Sequence, residues 1–429
     1  MQRAGQHRAR PIIDWHLFQL VFIVSRLPEL AGGTRGLGEA AQTRLSILWF
    51  PAGGGKTEAF LGLIVWNLFF DRLTGKHLGV SAFLRYPLRL LTYQQLQRVS
   101  WVLGQAEEVR LSHDIPGQPF SLGYYVGQST TPNRINDRDH RRLRQDGVPA
   151  NWQRVFRCPS CASRSVGLRY NHDLRLVEHY CQSAGCRTGG GRLQVYIVDD
   201  DLYRYLPTVI VSTVDKLAQV GQNRRFSQLF GRCELFCPVH GAAFRGSNRY
   251  MCPASAAAAD GSRIEECGGA TVLWGPFERA APSLHVQDEM HLMREGLATF
   301  DSHYETTALE LQRSIADGST GWSLIGATAT IEGYRAQANH LYLRDGVRFP
   351  APGPEAYTSF YYETDDALLG RLYVGVLGVG RTHTPSVARA IALLYQIVDG
   401  IRRGATRDLE AANEYLNLAG ASLDRSSSG

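Results

Sequence analysis

Apolar residues fall along this chain in short runs of two kinds, separated by polar turns. Leu45 to Trp49, Leu78 to Leu84 and the Val-Ile-Val inside Leu206–Leu217 are compact apolar stretches, which predict buried strands. Phe120 to Gly127 predicts a further strand ending in a glycine turn, and Leu372 to Leu377 another. Trp15 to Val24, Ala59 to Phe70, the segment from Pro87 to Arg98, and Val387 to Val398 carry apolar residues at helical spacing. Strand followed by helix, several times over, predicts an α/β architecture. Ala31 to Gly38 reads as a loop, and Asp137 to Asp146 as a solvated charge run. Arg425 to Gly429 reads as an unstructured tail.

The 429 residues exceed one ordinary domain, and 44% hydrophobic content is enough for a sizeable core. A formal charge of +6 fits a polyanionic partner without demonstrating one. Only Lys56, Lys76 and Lys216 are lysine among 46 basic residues. A bias towards arginine makes a lysine kept in a glycine-rich loop more informative, because that position needs a compact point charge. No stretch approaches the ~20 apolar residues of a membrane span, and the basic N-terminus lacks a cleavage pattern. The expectation is a cytoplasmic protein with no membrane partner, whose cysteines are metal ligands and not disulfides.

The organising stretch is Trp49-Phe-Pro-Ala-Gly-Gly-Gly-Lys-Thr-Glu58, between a strand and a buried helix. Gly53, Gly54 and Gly55 let backbone N–H groups approach an anion at a helix N-terminus. Lys56 reaches β- and γ-phosphates, and the Thr57 hydroxyl can ligand Mg²⁺. The strict phosphate-loop pattern places a glycine where Phe50 stands. Gln19 reads as an ordinary helix residue, with an adenine contact as the alternative.

Arg85-Tyr-Pro-Leu-Arg-Leu-Leu-Thr-Tyr-Gln-Gln95 runs from a strand into a helix. Arg85, Arg89, Thr92, Gln94 and Gln95 are candidates for a nucleic-acid backbone, which is met by arginine, hydroxyl and amide groups. The plain alternative is an amphipathic helix with solvated polar residues. Thr213 and Lys216, where a strand opens into a helix, suit a phosphate in the same way. Leu284-His-Val-Gln-Asp-Glu-Met-His291 brings Asp288 and Glu289 to a strand end, where α/β sheets place ligands. Asp288 would hold Mg²⁺, and Glu289 would orient or deprotonate water, with His291 completing the motif. Ser323 to Thr330 ends in Thr328, Ala329 and Thr330, candidates for coupling nucleotide state to movement.

All eight cysteines lie between positions 158 and 267. Cys158-Pro-Ser-Cys161 and Cys181-x4-Cys186 have zinc-ribbon spacing, which suits a closed, structural Zn²⁺ site. Cys233, Cys237, Cys252 and Cys267 form a looser second set, in which His240 can replace one cysteine.

Taken together, these strings resemble superfamily 2 helicases. The glycine loop, the Arg85–Gln95 segment, Thr213 in its strand-end context, Asp-Glu-Met-His and Ala-Thr-Ala-Thr follow the order of motifs I, Ia, Ib, II and III. Phe-Pro-x-Gly-Gly-Gly-Lys-Thr-Glu-Ala, Leu-Arg-Leu-Leu-Thr-x-Gln-Gln, Gln-Asp-Glu-x-His-Leu and Arg371-Leu-Tyr-Val-Gly-Val-Leu resemble the helicase component of DISARM, a bacterial anti-phage system. The resemblance implies an ATP-dependent helicase built on RecA-like domains, with ATP and Mg²⁺ in the cleft between two of them. It implies DNA or RNA as partner, together with other defence-system proteins. No segment resembles motif VI, so the expected chain is a fragment or one half of a split protein. It would bind ATP but hydrolyse it weakly without a separate chain carrying the second RecA-like domain.

The expected layout is an N-terminal tail and helix (1–44) and a RecA-like P-loop domain in three parts (45–150, 201–230 and 276–347). Cys-rich zinc-ribbon-like inserts occupy 151–200 and 231–275, a linker 348–370, and the start of a second domain with its tail 371–429. The competing reading is a zinc-dependent nucleic-acid-binding scaffold with a degenerate ATPase core. A weaker one is a signalling ATPase with a protein partner. Lys56→Ala separates the first two, and salt-dependent DNA affinity excludes the third.

Overall fold

The computed structural model describes residues 14–33, 43–51, 53–127, 131–237, 239–243, 273–274, 281–315, 321–328, 333–351, 353, 359–361 and 383–402. The chain divides into two compact units, Met1–Tyr362 and Glu363–Gly429.

In the first unit, helix α1 (Leu17–Gly33) precedes strand β1 (Arg44–Trp49), helix α2 (Lys56–Leu73), β2 (Ala82–Tyr86) and α3 (Arg89–Ser112). Then come β3 (Leu122–Tyr125), α4 (Asp137–Asp146) and the hairpin β4 (Val166–Asn171) and β5 (Leu176–Cys181). The chain continues through β6 (Val195–Tyr196), α5 (Asp199–Tyr205) and β7 (Val209–Thr213). A small antiparallel sheet follows, of β8 (Leu235–Cys237), β9 (Gly241–Ala243) and β10 (Leu273–Trp274). The unit ends with β11 (Leu284–Gln287), α6 (Glu295–Ile315), β12 (Ser323–Thr328), α7 (Tyr334–Tyr342) and β13 (Asp345–Phe349).

The main sheet has the order β13-β1-β12-β11-β2-β7-β3-β6, and every neighbouring pair is parallel. Its central strands read as continuous apolar runs because both faces are covered. In β1, Leu48 joins a core with α1, α2 and α3, while Leu45 and Ile47 join a second core with α6 and α7. The same alternation puts Leu84 in the first core and Phe83 in the second. The architecture is therefore α/β, as the strand-and-helix pattern implies.

Two boundaries differ from the expected layout. Val195–Tyr196 pairs with β3, so the chain rejoins the sheet before residue 201. Strand β13 runs to Phe349 beside β1, past residue 347. Its pattern of exposed and buried positions belongs to an edge strand, which hydropathy marks weakly. The strand expected at 372–377 lies outside the described residues. In the second unit, helix α8 (His383–Arg402) covers the helix expected at 387–398. No described helix is long and apolar enough to cross a membrane.

Candidate nucleotide and metal sites

At the end of β1 the chain leaves the sheet through the glycine loop. Phe50 N–H donates to the Thr328 carbonyl of β12 at 3.3 Å, and Gly54 N–H to the Pro51 carbonyl at 3.1 Å. Gly53 and Gly55 have φ of 83° and 90°, the left-handed region that favours glycine. Helix α2 starts at Lys56, so its first free N–H groups face the loop.

Gln19 braces this turn from α1. Its Nε2 donates to the Gly55 carbonyl at 2.9 Å, and its Oε1 accepts the His16 N–H at 2.9 Å. A Cβ on Gly55 would meet Gln19 Nε2 at 2.6 Å. One residue earlier, Phe18 stacks on Phe50 with ring centroids 3.7 Å apart. Gln19 is thus a loop brace in place of the ordinary helix residue that spacing suggests.

Lys56 is buried, and its Nζ donates to the carbonyls of Phe50 at 2.7 Å and Pro51 at 3.3 Å. Burial lowers its pKa, while the charges of Asp288 and Glu289 oppose that shift. Those acids arrive on β11, which is separated from β1 by β12 alone. Two strand spacings put the ends of β1 and β11 roughly 10 Å apart. Asp288 is buried, and its Oδ1 accepts the Glu289 N–H at 2.9 Å. Burial, reinforced by Glu289, pushes its carboxyl up to about 6, with Lys56 and Arg98 opposing. Glu289 has φ of 51°, uncommon for a residue other than glycine.

His291 joins this turn to the neighbouring strand. Its Nδ1 lies 3.3 Å from Glu289 Oε2 and 3.1 Å from the Thr328 hydroxyl. From α7, Gln337 Nε2 donates to the carbonyls of Met290 and Met293, each at 2.9 Å. Gln337 carried no signal in the sequence. Thr57 sits half-buried in the first turn of α2, and Ala329 and Thr330 lie outside the described residues.

The expected backbone-binding residues divide sharply. Arg85 is 0% exposed, and its guanidinium is paired with Glu305 of α6, so it is withdrawn from any phosphate. Lys216 is also buried; its Nζ lies 2.6 Å from Asp199 Oδ2 and 3.3 Å from Asn133 Oδ1. Thr92 and Thr213 are buried, and Thr92 donates its hydroxyl to the Arg89 carbonyl. Gln95 is half-buried, while Arg89 and Gln94 reach the surface. Strand-end polar residues read alike in sequence whether they face a ligand or a partner on a covering helix, and α6 supplied that partner unannounced.

Four thiols converge at one end of the β4–β5 hairpin. The sulfurs of Cys158, Cys161, Cys181 and Cys186 all lie within 4.8 Å of one another. Cys158 and Cys186 are 3.6 Å apart, as are Cys161 and Cys181. Tetrahedral Zn²⁺ with bonds of about 2.3 Å sets sulfurs about 3.8 Å apart, so this group fits the ion. Burial pushes the Cys158 thiol up to about 12, so a bound cation is what would hold it as thiolate. The module rests on α3, where Gln105 Nε2 donates to the Pro159 carbonyl at 3.1 Å and Gly104 leaves no room for a Cβ.

In the second set, Cys237 Sγ and His240 Nδ1 are 3.7 Å apart across the β8–β9 turn. Cys233 does not join them in a three-ligand group among the described residues. Cys252 and Cys267 lie outside those residues.

No family model matches the chain. Over 413 residues it is 31% identical to DISARM protein DrmA of Bacillus paralicheniformis, an alignment covering 90% of this chain. The chain is a relative of that DISARM protein. It spans 35% of the relative's length. Among solved structures, it overlaps DUF1998 helicase MrfA with a TM-score of 0.36 and 11% identity, over 77% of this chain and 32% of that one. The same helicase bound to DNA and AMPPNP overlaps with a TM-score of 0.35 and 10% identity, over 79% of this chain and 29% of that one. Overlap at that level carries no argument about function.

Proposed function

We propose that this chain is the ATP-binding part of a helicase or translocase that acts on nucleic acid in bacterial anti-phage defence. One observation carries the reading. Lys56 and the Asp288–Glu289 pair, far apart in sequence, lie on either side of β12, close enough for each charge to act on the other.

A cation beside two carboxylates at the C-terminal edge of a parallel sheet is the arrangement a triphosphate and its metal require. Lys56 now spends its hydrogen bonds on two loop carbonyls, which are acceptors that phosphate oxygens can replace. Thr57 and Asp288 would hold Mg²⁺, which supplies charge neutralisation to the phosphates. Glu289 would accept a proton from the attacking water. Gly53, Gly54 and Gly55 let the backbone come close to the anion, with the Gly54 N–H, which now donates to the Pro51 carbonyl, able to exchange that acceptor for a phosphate oxygen. The likeness to DISARM protein DrmA supports the defence role. The cysteine group supports one structural Zn²⁺ in the module beside α3.

The test is nucleotide binding. The chain should bind ATP only with Mg²⁺, Lys56→Ala should abolish binding, and Glu289→Gln should preserve binding while removing turnover. If Lys56→Ala binds ATP as well as the parent chain, the nucleotide reading fails. If nucleic-acid binding and defence activity both survive that substitution, the protein is a scaffold.

A further inference from the structure

We propose that Phe156 and Tyr93 form a stacking platform for an unpaired base of single-stranded nucleic acid, built where the cysteine-rich module meets α3. The proposal rests on the nucleic-acid reading above and names a contact that reading lacks, now that Arg85 and Lys216 are withdrawn into internal ion pairs.

Phe156 is 43% exposed, and its ring meets that of Tyr93 edge to face with centroids 6.1 Å apart. Such a pair leaves ring faces for a third aromatic. A single exposed phenylalanine is ordinary on a protein surface. What sets this one apart is how firmly it is held outward. Gln97 of α3 clasps the backbone on both sides of Val155: its Nε2 donates to the Arg154 carbonyl, and its Oε1 accepts the Phe156 N–H at 3.2 Å. His179 Nε2 accepts the Arg154 N–H at 3.0 Å, and Val155 is buried in the core. Two side chains and an anchored valine therefore fix a short segment whose one apolar ring faces solvent. A ring already ordered loses little freedom when a ligand stacks on it.

The surroundings favour a polyanion. Arg154 is buried and its guanidinium donates to the Asn151 and Gln153 carbonyls, but its positive charge still reaches the Tyr93 hydroxyl, and half-buried Arg157 follows Phe156 directly. Tyr93 sits at the start of α3, which springs from the C-terminal end of β2. That is the sheet edge where α/β folds hold ligands and where Asp288 stands, beside the end of β2. Aromatic rings among arginines are the usual means of holding single strands, since every base offers a π-face. Cys158 follows two residues after Phe156, so the ring stands next to the cysteine cluster.

The test compares the chain with Phe156→Ala and Phe156→Trp by anisotropy, on a labelled single-stranded DNA and on the same strand with abasic sites. Phe156→Ala should weaken binding to the intact strand about tenfold, the order expected for one stacked base. Phe156→Trp should restore it. The salt dependence should stay the same, because no phosphate contact is lost. On the abasic strand all three proteins should bind alike. Unchanged binding of intact DNA by Phe156→Ala would overturn the platform alone. An equal loss on the abasic strand would also overturn it, since the ring would then not be reading bases. If the parent chain binds no single strand, both this proposal and the nucleic-acid reading fall, while Mg²⁺-dependent ATP binding still reports on the nucleotide site.

Discussion

His291 Nδ1 lies 3.1 Å from the Thr328 hydroxyl, and this contact joins the acidic turn after β11 to the last residue of β12. The same nitrogen is 3.3 Å from the Glu289 carboxylate. Thr328 also accepts the Phe50 N–H through its carbonyl, so one residue touches both the glycine loop and the acidic turn. Thr328→Val keeps the shape and removes the hydroxyl. ATP affinity should stay within about twofold, while turnover should fall about fivefold, the worth of one hydrogen bond of ~1 kcal/mol. Equal losses in affinity and turnover would instead place Thr328 in binding.

Gln19 offers a sharper discrimination, because both ends of its amide are committed to backbone groups. As a brace for the loop, it acts on any nucleoside triphosphate. Gln19→Ala should therefore weaken ATP and GTP alike, by about fivefold to tenfold, in line with ~1 kcal/mol for a hydrogen bond. A loss confined to ATP would restore the adenine-reading role.

Beneath the site, Arg85 meets two acids of α6. Glu305 pairs with it directly, and Asp301 lies close by with neither carboxylate oxygen hydrogen-bonded. Burial pushes the Asp301 carboxyl up to about 7, with Arg85 opposing and Glu305 adding. The folded state then holds a proton that the unfolded chain releases near pH 4. Between about pH 4 and 7 the folded state binds more protons, so this residue makes stability fall as pH rises. Asp301→Asn should remove that slope and stabilise the chain by about 2–4 kcal/mol at pH 8 but not at pH 4. Denaturant midpoints at the two values decide it, and a gain of equal size at both would sink the account.

How much of this was legible in the sequence depended on whether a residue's partner was local. The glycine loop, the acidic pair and the first four cysteines carry their chemistry in short strings, and the structure places Lys56 near Asp288 and gathers the thiols. The strands buried on both faces announced themselves as apolar runs, whereas the edge strand β13 did not. Arg85 and Lys216 read as phosphate contacts because nothing nearby in the chain showed Glu305 or Asp199. Gln337 and Gln97 act on distant backbone groups, and no pattern of spacing marks such residues.

The cysteine module allows the most direct chemical test. Four thiols at these separations, one of them pushed up to about 12 by burial, form a poor cluster when protonated and a good one around a cation. Metal analysis should return at least one equivalent of zinc, and Cys158→Ser or Cys181→Ser should remove one equivalent. Because Pro159 packs on α3 and Gln97 clasps residues 154 and 156, the loss should not stay local. Hydrogen exchange should rise across residues 153–193 and along the facing turns of α3. The strands β1, β11 and β12 should stay protected, since they lie elsewhere in the sheet and are buried on both faces. Zinc-free protein with unchanged exchange in the module would show that hairpin packing alone brings the thiols together.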